Sequence, residues 1–112
     1  MKPANYAPIY MAGVYPRWAE IARQHGYALA VHGSCARDLD VVFIPWAEVI
    51  SSPETVIEAL TSEFAVTKIG DLEARFHGRL CQTLSWMGDC FADISFIQPT
   101  KGQTNDQVFN PI

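Results

Sequence analysis

Residues 30–46 read Ala30-Val31-His32-Gly33-Ser34-Cys35-Ala36-Arg37-Asp38-Leu39-Asp40-Val41-Val42-Phe43-Ile44-Pro45-Trp46. The stretch is an apolar run, a tight Gly-Ser turn, and a second apolar run that opens with two carboxylates. Side chains at i and i+2 of a strand lie on one face, so Asp38 and Asp40 are expected to point the same way beside the turn. Like charges so placed repel and shift each other's titration, which calls for a cation or open water. A third acid nearby would make the pair a site for divalent metal and phosphate, and Asp93 is the candidate.

Working outward, 27–32 and 39–44 read as strands. So short a connection makes them antiparallel neighbours. The near-continuous apolar character of 39–44 predicts cover on both faces, and Pro45 ends the strand. Before them, 16–25 reads as a helix. Pro16 suits its first turn, Trp18, Ile21, Ala22 and His25 form one apolar stripe, and Gly26 stops it. In the first fifteen residues, Ile9, Tyr10 and Met11 are expected to make a short helical turn against the core. Downstream, Ser52-Pro53-Glu54 is a helix start, with Val56, Ile57, Leu60 and Phe64 as its buried face and an end near 63–64. Two short strand candidates, 66–69 and 72–76, are split by Gly70-Asp71. A turn at His77-Gly78 leads to a strand over 79–86, and Met87-Gly88-Asp89 turns it into a last strand over 90–97. Residues 1–99 thus read as one α/β domain, and the polar stretch 100–112 as a flexible tail.

The chain has 112 residues, enough for one domain. Its hydrophobic fraction of 49% is that of a globular protein. A net charge of −4 argues against broad nucleic-acid binding, which needs clustered Lys and Arg. Three cysteines without a Cys-x-x-Cys pair suggest neither a disulfide framework nor a zinc site, so reduced thiols in the cytoplasm are expected. No signal peptide or membrane span is read in the sequence.

In the last strand Phe91, Asp93, Ser95 and Ile97 share one face, and Cys90, Ala92, Ile94 and Phe96 the other. An Asp among such apolar neighbours needs a partner. If this strand runs parallel to that of Asp40, all three acids gather at one end of the sheet. Three such carboxylates suit two Mg2+ or Mn2+ ions acting in phosphoryl chemistry. Gly33 lets a backbone approach a ligand closely, Ser34 offers a hydroxyl and an N–H for phosphate oxygens, and Arg37 reaches a phosphate or braces a carboxylate.

This pattern, apolar-Gly-Ser, then Asp-x-Asp on the next strand, then one acid on a later strand, resembles the nucleotidyltransferase superfamily that includes polymerase beta. The string Gly33-Ser34-Cys35-Ala36-Arg37 looks like its small bacterial members, and His32 to Trp46 like short phage and prophage proteins. The likeness covers roughly residues 16–99. It implies a helix, a strand-turn-strand hairpin, an insertion and a third core strand, a mixed central sheet with helices packed on it. It also implies that Gly33 and Ser34 bind the phosphates of a nucleoside triphosphate and that Asp38, Asp40 and Asp93 hold the metal and carry catalysis. Arg37 is an addition from the residues themselves. The implied activity is metal-dependent transfer of a nucleoside monophosphate to an acceptor, with a protein partner or acceptor among the options, in the cytoplasm, that of the host if the chain is phage-encoded. The loop before Asp38 is shorter than is usual in that family, and the chain reads as lacking the further helical domain of active relatives. A nucleotide-binding or protein-interaction module without turnover is therefore the rival reading, with a metal-dependent phosphohydrolase behind it.

Other residues carry plainer expectations. His32 reads as a packed strand-end histidine rather than a base, and His25 as core. Arg75, His77 and Arg79 read as a solvated hairpin tip, with a phosphate or an acidic partner as the alternatives its positive charge could meet. Cys35 is a turn thiol with no base identified beside it. Trp46 and Trp86 read as core.

Overall fold

Proline and glycine punctuate the first half of the chain. Pro8 and Pro16 each stand in the first turn of a helix, α1 (Ala7–Gly13) and α2 (Tyr15–Gln24). Trp18, Ile21 and Ala22 form the buried stripe of α2. The helix ends at His25, and Gly26, with φ +90°, reverses the chain. A side chain at Gly26 would also collide with the Val49 carbonyl, 2.6 Å from an added Cβ. The Gly26 carbonyl accepts from the Trp46 and Ala47 N–H groups, tying this turn to the far end of the strand that carries Asp40.

The computed structural model describes residues 5–75, 78–99 and 104–105, the last pair by backbone alone. After α2 come β1 (Tyr27–His32), β2 (Leu39–Pro45), a short β3 (Val49–Ile50), α3 (Pro53–Thr61), β4 (Val66–Ala74), β5 (Leu80–Trp86), β6 (Cys90–Phe96) and a short β7 (Thr104–Asn105). The five long strands form one mixed sheet in the order β1-β2-β6-β5-β4. β1 is antiparallel to β2 and β2 is parallel to β6. β6 is antiparallel to β5, and β5 to β4. β3 and β7 pair in parallel beside it. This is a single α/β domain of three helices and a five-stranded mixed sheet.

One face of the sheet is the core. Leu39, Val41 and Phe43 of β2, Ala92, Ile94 and Phe96 of β6 and Leu84 of β5 join Trp18, Ile21 and Ala22 of α2 and Val56, Ile57 and Leu60 of α3 in one buried cluster. Phe43 stacks on Phe96 at 4.7 Å, and Tyr27 meets both rings edge-on at 5.9 and 5.7 Å. Ser52 caps α3 by accepting the Thr55 N–H. No described helix is long and apolar enough to cross a membrane.

The expected antiparallel β1/β2 hairpin is present, as is the division of β6 into two faces. Several expectations are corrected. β2 is covered by helices on one face only: Val42 is buried among its neighbours, but Asp40 and Ile44 beside it are only half-buried. α3 stops at Thr61, so Phe64 lies beyond it and is 86% exposed. Trp46 is 81% exposed rather than core, whereas Trp86 is partly buried against Tyr10. In α1 only Tyr10 is buried, with Ile9 and Met11 exposed. The two strand candidates around Gly70-Asp71 are one strand, β4, with its register shifted between Ile69 and Glu73. The Gln82 amide donates to the Ile69 and Gly70 carbonyls at 2.9 and 3.1 Å, satisfying groups that the shift leaves unpaired. Phe76 and His77 lie outside the described residues, as does the expected tail apart from 104–105.

Candidate functional site

Strand register assembles the site. On β2 the odd-numbered residues point into the core, so Asp40 points to the opposite face. On β6 Ala92 and Ile94 point inward, so Asp93 emerges on the face of Asp40. Asp40 and Asp93 are direct partners in the parallel pair, on adjacent strands about 4.8 Å apart. His32 is opposite Asp40 in the β1/β2 pair, and Thr83 is opposite Asp93 in the β5/β6 pair. A polar row, His32-Asp40-Asp93-Thr83, therefore crosses four strands. The Thr83 hydroxyl donates to Asp93 Oδ1 at 2.9 Å, holding one carboxylate oxygen in place.

These four residues line a cleft of about 450 Å³ on the sheet face away from the core. Ser95, Cys81, Arg79 and Arg75 continue it toward the β4–β5 hairpin, with Asp71 and Glu73 on the β4 side. A volume of this order suits a ligand of nucleotide size.

The Asp40 carboxyl is pushed above the usual carboxylate range. Partial burial contributes most, the charge of Asp93 next, and Asp38 least, while His32 opposes them. Gly33 stands against this carboxylate, with φ +77°. An added Cβ there would lie 3.0 Å from Asp40 Oδ2. Any other residue at position 33 would carry backbone strain and crowd the acid.

The loop over 33–38 is fastened from below. The Tyr6 N–H donates to the Ala36 carbonyl at 2.5 Å, and the Tyr10 hydroxyl to the Arg37 carbonyl at 2.8 Å, with a longer contact of 3.4 Å to the Phe91 carbonyl. α1 thus ties the turn to β6. Burial, with the neighbouring Cys90 and Asp38, pushes the Tyr10 hydroxyl well above its ordinary range, so it stays a donor at any ordinary pH. Cys35 is buried, and burial with the Asp40 charge raises its thiol pKa. It is an anchor of the loop rather than a nucleophile. Removing the Tyr10 hydroxyl alone, as Tyr10→Phe, is expected to cost about 1–1.5 kcal/mol. Amide hydrogen exchange across 33–37 should accelerate while that of β5 does not.

The expected site residues are thus distributed unevenly. Asp40 and Asp93 are brought together. Asp38 is half-buried in the bend before β2, so the strand alternation that would align it with Asp40 does not reach it. Gly33 abuts Asp40, while Ser34 is exposed, its Oγ accepting the Ala36 N–H at 3.2 Å. The Arg37 side chain is exposed and outside the cleft lining. Among the described residues, no three His, Cys, Asp or Glu side chains converge closely enough to hold a metal ion. The oxygen donors of Asp40 and Asp93 nevertheless suit a hard divalent cation, which would relieve the repulsion that raises Asp40. His25, expected in the core, is only half-buried at the end of α2, its Nδ1 2.7 Å from Ser51 Oγ, and burial lowers its pKa.

Sequence reasoning missed Thr83, Ser95 and Tyr10. The alternation of Arg79, Cys81, Thr83 and Ser85 was a signal for the first of these, because it puts Thr83 on the face opposite Leu84. Compared with known proteins, the chain matches no family model, no curated protein and no solved structure.

Proposed function

We propose that the cleft is a divalent-metal-dependent nucleotide site of the nucleotidyltransferase type, transferring a nucleoside monophosphate from a nucleoside triphosphate to an acceptor hydroxyl. The observation that carries this reading is the in-register pairing of Asp40 with Asp93, with Gly33 pressed against Asp40 at the same end of the sheet. The β1-β2-β6 arrangement, an antiparallel hairpin with a parallel third strand, supports the fold expected from the sequence resemblance. In this reading Asp40 and Asp93, joined by Asp38, hold Mg2+ or Mn2+. When bound, the cation neutralises the triphosphate and lowers the pKa of the attacking hydroxyl. Gly33 leaves room for the phosphates and Ser34 donates its O–H to one of them. Thr83 fixes Asp93 so that its second oxygen faces the cleft. A chemistry that consumes nucleoside triphosphates belongs in the cytoplasm.

One observation favours a second reading, a nucleotide-binding or protein-interaction module without turnover: the three carboxylates do not converge. Product analysis with α-phosphate-labelled nucleoside triphosphates and Mn2+ separates the two. Labelled adduct with free pyrophosphate is the expected result. Free mono- or diphosphate would indicate attack by water. Binding without any product would indicate the module.

A further inference from the structure

The cleft has two chemically different ends. Gly33 and Ser34 follow the end of β1 and precede β2, so they stand at the end of the sheet where β2 and β6 begin. Arg79 immediately precedes β5, which is antiparallel to β6, so Arg79 stands at the end where β6 finishes. Thr83 marks the level of Asp93 on β5, and Arg79 is four residues earlier, about 13 Å along the strand. The Arg75 N–H donates to the Arg79 carbonyl at 2.7 Å, which closes the hairpin and sets the two arginines across from each other. Both line the cleft. Arg75 has an exposed pair with Glu73 at 3.6 Å, a contact of little strength. The Arg79 guanidinium has no ion pair among the described residues. Between the arginines and Asp93 is Ser95, on the same face of β6. It is only 7% exposed, and its Oγ has no hydrogen-bond partner among the described residues. A buried hydroxyl left unpaired on a cleft wall awaits a polar ligand.

In-line displacement at phosphorus puts the attacking and leaving oxygens on opposite sides. With pyrophosphate leaving toward Gly33 and Ser34, the acceptor enters from the Arg75/Arg79 end. We infer that the acceptor is a small molecule bearing a phosphate monoester, which Arg75 and Arg79 grip while its hydroxyl is presented beside Asp93, with Ser95 bonding its polar body. This rests on the transfer reading above. In the step, the acceptor oxygen bonds to the α-phosphorus, the bond from that phosphorus to the pyrophosphate oxygen breaks, and the hydroxyl proton passes to Asp93 and on to water. Two guanidiniums suit a phosphate because each offers paired donors. The net charge of −4 disfavours a long polyanion such as nucleic acid in the same role.

The test titrates ribose 5-phosphate, with ribose and inorganic phosphate as controls, into the full chain followed by NMR. The same titrations are run on Arg75→Gln/Arg79→Gln and on Ser95→Ala. Mn2+–ATP binding is measured in parallel. Ribose 5-phosphate is expected to saturate and ribose not to bind. The double variant should weaken the sugar phosphate by about tenfold or more while holding Mn2+–ATP within a few-fold. Ser95→Ala should give a smaller loss. Absence of saturable binding, or equal binding by the double variant, would overturn the inference. Parallel loss of Mn2+–ATP in the double variant would also overturn it, by assigning the arginines to the donor triphosphate. If ribose 5-phosphate binds through the arginines but Mn2+–ATP binds nowhere, the transfer reading falls and the acceptor role with it, and a phosphate site alone remains.

Discussion

Asp40→Asn is expected to raise the melting temperature of the ligand-free protein and, under the proposed function, to lower metal-dependent nucleotide transfer by about a thousandfold or more. Both effects come from removing one charge. Asp40 is partly buried beside Asp93 and Asp38, and its folded-state pKa is raised above the ordinary 3.8. Between those two values the folded protein binds more protons than the unfolded chain. Stability therefore falls as pH rises through that window, and the ionised Asp40 is a net cost at neutral pH. Asparagine keeps the shape and removes the charge. Its stabilising effect should be negligible below pH 4, grow as pH rises through the raised pKa of Asp40, and level off at neutral pH. A gain in melting temperature at neutral pH that vanishes in acid is the expected sign, because burial and the Asp93 charge disfavour the ionised carboxyl in the folded protein. The catalytic loss follows from the other half of the account. A carboxylate that helps neutralise a triphosphate through a metal contributes several kcal/mol to the transition state, and each 1.36 kcal/mol is about tenfold in rate. Melting scans from pH 3.5 to 8, together with the labelled-nucleotide assay, check both. A destabilised Asp40→Asn protein would contradict the electrostatic account.

Phe43→Ala is expected to cost about 3–5 kcal/mol and to lower the melting temperature by about 15 °C or more. Phe43 is fully buried on β2, stacked on Phe96 and edge-on to Tyr27. Truncation leaves a cavity where three aromatic rings meet, a gap the sheet cannot close because β1 and β6 are held to β2 on either side. The loss is a large fraction of the ~5–15 kcal/mol that stabilises a typical domain. Phe43→Leu keeps most of the volume and should cost less than half as much. Trp46→Ala, three positions on, should stay within about 0.5 kcal/mol, because Trp46 is in solvent. Chemical denaturation of the three variants separates these outcomes. A mild Phe43→Ala would mean that the ring cluster is not the centre of the core.

These two residues also show what was legible in the sequence. The strand from 39, its antiparallel partner and the two-faced final strand follow from alternation and turn residues, which are local signals. The parallel register that pairs Asp40 with Asp93 was the arrangement under which the acids were expected to meet, but that both point away from the core was not read from the sequence. What local pattern does not contain was missed or misread. The continuous apolar run 39–44 suggests cover on both faces, but Val42 stands outside the core cluster and Asp40 and Ile44 on its face are only half-buried. Trp46 and Phe64 are apolar by composition yet lie just beyond the elements that would bury them. The clamp from Tyr10 to Arg37 spans 27 residues of sequence and has no periodic signature. Gly70-Asp71 marked an interruption where the register of β4 shifts, but the Gln82 amide that bonds to the Ile69 and Gly70 carbonyls from the neighbouring strand has no local signal. Arg75 is exposed at the hairpin, as read from the sequence, but nothing in that segment says that Arg75 and Arg79 also line the cleft that holds Asp93.

The proposed nucleotide site is tested most directly by isothermal titration of Mn2+–nucleoside triphosphate into the wild-type chain and into Asp93→Asn, each also titrated with the nucleotide in the absence of metal. The account requires saturable binding to the wild type that needs the metal, and its loss in Asp93→Asn while that variant remains folded. Metal-independent binding, undiminished binding by Asp93→Asn, or no binding of any nucleoside triphosphate to the wild type would contradict it.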